Sequence, residues 1–151
     1  MSEVERITRQ LKGAWHGPAW HGPALYEVLK DLTAAQAGAR PLREAHTIAE
    51  IVRHVAVWER VAVRRACGEV VKPTDAEDWP PTGVGDGAWQ RALAELAGSQ
   101  RELLEALARL ADADLERPAP GGGYTLGFML DGVVDHDLYH AGQIALLRKA
   151  G

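Results

Sequence analysis

Apolar residues recur every three or four positions in four separate stretches of this chain, and nowhere do they alternate with polar residues over a strand's length. That periodicity commits the backbone to amphipathic helices. The first block is interrupted. A short helix over about 3–12 gives way to Ala14-Trp15-His16-Gly17-Pro18, repeated at once as Ala19-Trp20-His21-Gly22-Pro23. Pro23 suits a first helical position, and a helix over 23–32 carries Leu25, Val28, Leu29 and Leu32 on one stripe. Thr33 and Gln36 have the spacing of a capping box, as do Thr47 and Glu50. The second block runs from Thr47 to about Cys67 with Gly68 as its terminator, the third over about 87–110, and the fourth over about 125–149. The Pro- and Gly-rich stretch 71–87 reads as a crossover. The Gly121-Gly122-Gly123 run, with no phosphate-loop Lys, reads as a flexible linker. The expected fold is all-α: one domain over 1–151, a four-helix bundle with long connections and an interrupted first helix.

Composition removes several function classes. No apolar run approaches the roughly 18 residues of a membrane span. Lys and Arg total 17 against 21 Asp and Glu, a net charge of −4 without a basic block, which argues against nucleic acid as partner. The charged start Met1-Ser2-Glu3-Val4-Glu5-Arg6 lacks an apolar signal region, so a cytoplasmic protein is expected. The single cysteine, Cys67, precludes an internal disulfide.

Six histidines remain, and their positions carry the chemistry. His136 and His140 lie four residues apart on the fourth helix, about 6 Å along its axis and roughly 40° around it, so both can reach one ion. They share a stripe with Met129, Val133 and Leu147, where unpaired imidazoles are costly. His54 lies on the inward line Ile51–His54–Trp58–Val61 of the second helix. Three histidines from two helices suit an open zinc or nickel site. Two partly exposed histidines with ordinary hydrogen bonds are the plainer alternative for the helical pair. Cys67, about 20 Å from His54 along a straight helix, cannot close the set and reads as a small core or helix-end residue. His46, about 12 Å from His54, reads as a pocket-lining or surface residue. His16 and His21 are unplaced in their connector. Glu50, Asp135 and Asp137 are candidate partners for the imidazole N–H groups or bases for catalysis, against a reading of both aspartates as solvated surface charges.

The run Asp135-His136-Asp137-Leu138-Tyr139-His140-Ala141-Gly142-Gln143-Ile144 resembles the C-terminal signature of the DinB-like (DinB/YfiT-like) family of metal-binding four-helix bundles. The run from Thr47 to Glu59, with His54, resembles that family's second-helix signature. The Trp-His-Gly-Pro element and Asp78-Trp79-Pro80 resemble features of one branch. The resemblance implies an up-down-down-up bundle, commonly a homodimer, with zinc or nickel on His54, His136 and His140. It implies a small-molecule substrate and either hydrolysis or thiol-S-transfer. The family includes transferases using low-molecular-weight thiols such as bacillithiol, and a mycothiol-dependent maleylpyruvate isomerase. The alternative is a non-catalytic, metal-stabilised, stress-associated binding or dimerisation module.

Overall fold

Hydroxyl side chains set most of the helix starts. In the computed structural model, which describes residues 1–151, Ser2, Thr33, Thr47 and Thr74 each accept from the backbone N–H three residues on, and the acidic or amide side chain there reaches back to the cap. The elements in order are α1 (Glu3–His16), α2 (Leu25–Leu29), α3 (Ala34–Gly38), α4 (Ile48–Ala66), α5 (Asp75–Asp78), α6 (Asp86–Leu107), a 3₁₀ turn (Asp112–Glu116) and α7 (Leu126–Ala150). No strand forms beyond one isolated bridge between Pro118 and Thr125. No helix is long and apolar enough to cross a membrane.

Helices α1, α4, α6 and α7 make the bundle, and side-chain pairings give their directions. Arg53 meets Glu95 and Arg60 meets Glu102, so α4 and α6 run parallel. Arg6 meets Asp131 and Trp15 meets Asp137, so α1 and α7 run parallel as well. His54 faces His136 and Arg65 reaches Tyr124, so α4 runs against α7. The order is up-down-down-up, as the family resemblance implied. Leu11, Val52, Leu96, Leu103, Leu130 and Ile144 are fully buried between the four. Each large apolar side chain so removed from water contributes about 1.5–3 kcal/mol.

Three local expectations are corrected. The first helix continues past Lys12 to His16, because Trp15 extends the stripe Ile7–Leu11 and is buried (1% exposed). Gly17, at φ +72, then caps it. The helix expected over 23–32 shrinks to Leu25–Leu29, ending at a turn in which Asp31 takes φ +60. The glycine run is a built turn. Gly121 and Gly123 have positive φ, and a Cβ on Gly122 would lie 2.6 Å from the Tyr124 ring, so the run seats that ring.

Candidate metal centre

The stripe periodicity of α7 places His136 and His140 one turn apart facing α4, and α4 answers with His54. His136 Nε2 lies 3.1 Å from both His54 Nε2 and His140 Nε2. The ligating atoms of the three rings all fall within 4.8 Å of one another. His54 and His140 are buried, whereas the side chain of His136 keeps 28% of its surface open.

The opposite ring nitrogens are tied back. His54 Nδ1 lies 3.0 Å from the Asp78 carbonyl oxygen and 2.9 Å from Asp78 Oδ1. His140 Nδ1 lies 2.7 Å from Gln143 Oε1. These acceptors require the proton on Nδ1, leaving lone pairs on the Nε2 atoms of both rings. Both lone pairs point at His136 Nε2, which can donate to one of them only. Burial, and then the neighbouring His136, lowers the pKa of His140 to about 4; burial also lowers that of His54. Neutral imidazoles are the ligating form. Two nitrogens on one zinc-sized ion lie roughly 3–3.5 Å apart, so both 3.1 Å separations suit a shared cation. The donor set therefore fits a divalent metal ion.

The crossover supplies the lid of this cluster. Trp79 stacks on His54 (3.8 Å between centroids, 4° between planes) and, through its other face, on His46 (3.5 Å, 6°). Asp78 Oδ1 also accepts from Trp58 Nε1 at 2.6 Å. Arg53 donates to the Pro81 carbonyl and pins the segment to α4.

The remaining sequence candidates separate. Glu50 does not serve His54: its carboxylate accepts from the Thr47 N–H at 2.8 Å and lies on Arg40 at 2.6 Å and on His46 at 3.1 Å. Partial burial raises its pKa, but those three partners outweigh it and hold the carboxyl low. The capping role at the start of α4 points its side chain away from the ring one turn on. Asp135 is exposed. Asp137 is buried (1%) and accepts from Trp15 Nε1 at 2.7 Å, so the reading of both aspartates as solvated holds for Asp135 alone. Asp137 Oδ1 and His136 Nδ1 are buried without hydrogen-bond partners, 3.8 Å apart. His46 is half-exposed over Trp79. His16 stacks on Tyr26, and His21 is exposed; neither joins the cluster. Cys67 caps α4 in an exposed position.

Sequence reasoning missed the polar interior behind His136. Glu59, fully buried, accepts from the Ser99 hydroxyl and from Gln100 Nε2 at 3.3 Å. Tyr26 donates to Gln100 Oε1 at 2.8 Å. Burial, and then the Asp137 carboxylate, pushes the Glu59 pKa well above the ordinary range and favours its protonated form. Asp78, Trp79 and Gln143 were also missed as site residues. A signal existed for all three, since Asp78-Trp79-Pro80 and the run through Gln143 both lie in stretches that carry the family resemblance.

Comparison with known proteins adds two findings. A family model described as the DinB superfamily matches residues 19–144. A solved structure described as a conserved protein from Enterococcus faecalis superposes with a TM-score of 0.65 at 16% identity, covering 98% of this chain and 92% of that one; this shows a shared fold. No curated protein matches the chain.

Proposed function

The chain belongs to the DinB superfamily, and from that premise we propose that it is a metal-dependent enzyme in which His54, His136 and His140 hold a zinc or nickel ion and a small molecule is hydrolysed or receives a thiol. The observation that carries this reading is the pair of tied-back imidazoles, His54 on Asp78 and His140 on Gln143, whose free nitrogens converge on His136. A bound ion supplies Lewis acidity and lowers the pKa of water or a thiol. Asp78 and Gln143 fix ring orientation and tautomer. Trp79 shields one face of His54 from water, and Trp58 and Val133 keep the approach to His136 apolar. Cys67 is exposed at the end of α4, so a thiol-transfer reaction takes its thiol from outside the chain, a low-molecular-weight compound such as bacillithiol.

The test combines metal analysis with turnover. Protein loaded with zinc or nickel is expected to bind one ion per chain, and to hydrolyse activated esters or conjugate a low-molecular-weight thiol to an electrophile. A His54→Ala, His140→Ala double variant should lose both metal and turnover. One ion per chain with no turnover across both substrate panels favours the non-catalytic, metal-stabilised module instead.

A further inference from the structure

The bundle interior holds one cation without an acid. Arg65, on the last turn of α4, is buried (6% exposed), and no carboxylate forms an ion pair with it. Its Nε and Nη2 donate to the Val71 carbonyl at 3.2 and 2.7 Å, and its Nη1 donates to the Tyr124 hydroxyl at 2.6 Å. A guanidinium carries five N–H groups, so one on each Nη remains unused. The Tyr124 hydroxyl, having accepted from Arg65, donates to no protein acceptor. The Trp58 ring face lies 5.9 Å from its guanidinium carbon, but a ring is a weaker partner for a buried charge than an anion.

The space beside it is a cavity of about 200 Å³ between α4 and α7, walled by Trp58, Phe128 and Val133 and lined also by Arg65, Tyr124 and His136. Trp58 sits against His136, with ring centroids 6.5 Å apart. The Arg65 guanidinium lies over the same indole, 5.9 Å from the Trp58 ring centroid, so the cation and His136 both border Trp58 along one apolar slot.

We propose that this slot binds a small organic monocarboxylate. The carboxylate sits on Arg65 and Tyr124, and the apolar chain runs toward His136. A flat fork of two free N–H groups and one hydroxyl matches a carboxylate, and the single positive charge matches a monoanion. As a statement about substrate class this rests on the metal-enzyme reading. As a statement about binding it does not, because Arg65 lies outside the three-histidine cluster.

Calorimetric titration of octanoate and octanamide into the whole protein, without added metal and again with zinc, tests the proposal. Octanoate is expected to bind at least tenfold more tightly than octanamide in both conditions. Arg65→Gln should erase that preference, and Tyr124→Phe should reduce it several-fold while zinc stoichiometry stays unchanged. Equal affinity for the two ligands in the wild type, or a preference that survives intact in Tyr124→Phe, overturns the proposal even if Arg65→Gln fails to fold. Loss of zinc binding with the octanoate preference intact sinks the metal reading alone; normal zinc binding with no preference sinks this one alone.

Discussion

Asp78 holds the ring of His54 twice, through its backbone carbonyl at 3.0 Å and its side-chain Oδ1 at 2.9 Å, so a residue of the crossover orients a residue of α4. Groups that orient a metal-bound histidine typically affect metal affinity by 10–100-fold. Because the backbone acceptor persists, Asp78→Ala should weaken zinc binding by about tenfold, the lower end of that range. Competition against a chromophoric chelator measures it, and unchanged affinity would mean that the side chain is dispensable.

A ligand held only by the native state raises stability. At a free concentration one hundred times Kd the gain is about 2.7 kcal/mol. For a chain of this size that is a rise in Tm of roughly 5–10 °C. Zinc should give such a rise in the wild type and none in the His54→Ala, His140→Ala double variant. A similar shift in both would place the ion elsewhere.

In metal-free protein, His140 has its pKa depressed from 6.5 to about 4, chiefly by burial and then by His136. Between those values the unfolded chain binds a proton that the native state refuses. The contribution of His140 to stability is therefore complete above pH 6.5 and is lost as pH falls toward about 4. Urea midpoints in the presence of a chelator should follow that acid limb, and His140→Gln should flatten it.

Glu59 behaves in the opposite sense. Its native pKa lies well above the unfolded value of 4.5, raised by burial and by Asp137. Its contribution is complete below pH 4.5 and is lost as pH rises toward the native pKa, because the unfolded chain gives up its proton first. Glu59→Gln carries no proton to lose, and its amide can donate to the unpartnered Asp137 Oδ1. The variant should fold and should gain stability relative to wild type as pH rises from 5 to 8. A constant difference across that range would show Glu59 ionised in the native state.

Gly122 and Gly123 separate two kinds of constraint. An alanine Cβ at Gly122 meets the Tyr124 ring at 2.6 Å, whereas at Gly123 it meets nothing within 4 Å but must adopt φ +73. Gly123→Ala should cost about 1 kcal/mol from backbone strain alone. Gly122→Ala should cost about 2 kcal/mol by displacing the ring, and should also loosen the Arg65–Tyr124 contact. Chemical denaturation of both variants checks the order.

Helix class and the starts of α4 and α7 were legible in the chain. They follow from local rules: apolar residues three or four apart share a face, and Thr47 and Thr125 satisfy free N–H groups at helix starts. The up-down-down-up order came only from the family resemblance, because periodicity does not state how helices pack side by side. The meeting of His54 with His136 and His140 was legible too, because a helical stripe states which way its residues face.

Other features depended on which surfaces meet. Glu59 sits beside Trp58 in the sequence and reads as an ordinary charged residue; only the packing of α6 and α7 against α4 buries it among Ser99, Gln100 and Asp137. Glu50 has the right spacing to serve His54, but its cap bond turns it toward Arg40 and His46. Asp78 and Trp79 lie more than twenty residues from His54 and reach it because the crossover folds back over the bundle. Periodicity along α4 and along α7 gave the facing of the three imidazoles. The groups that orient, cover and surround them come from other elements, and the tertiary structure alone decided them, since burial and hydrogen-bond partners at that range are properties of packing.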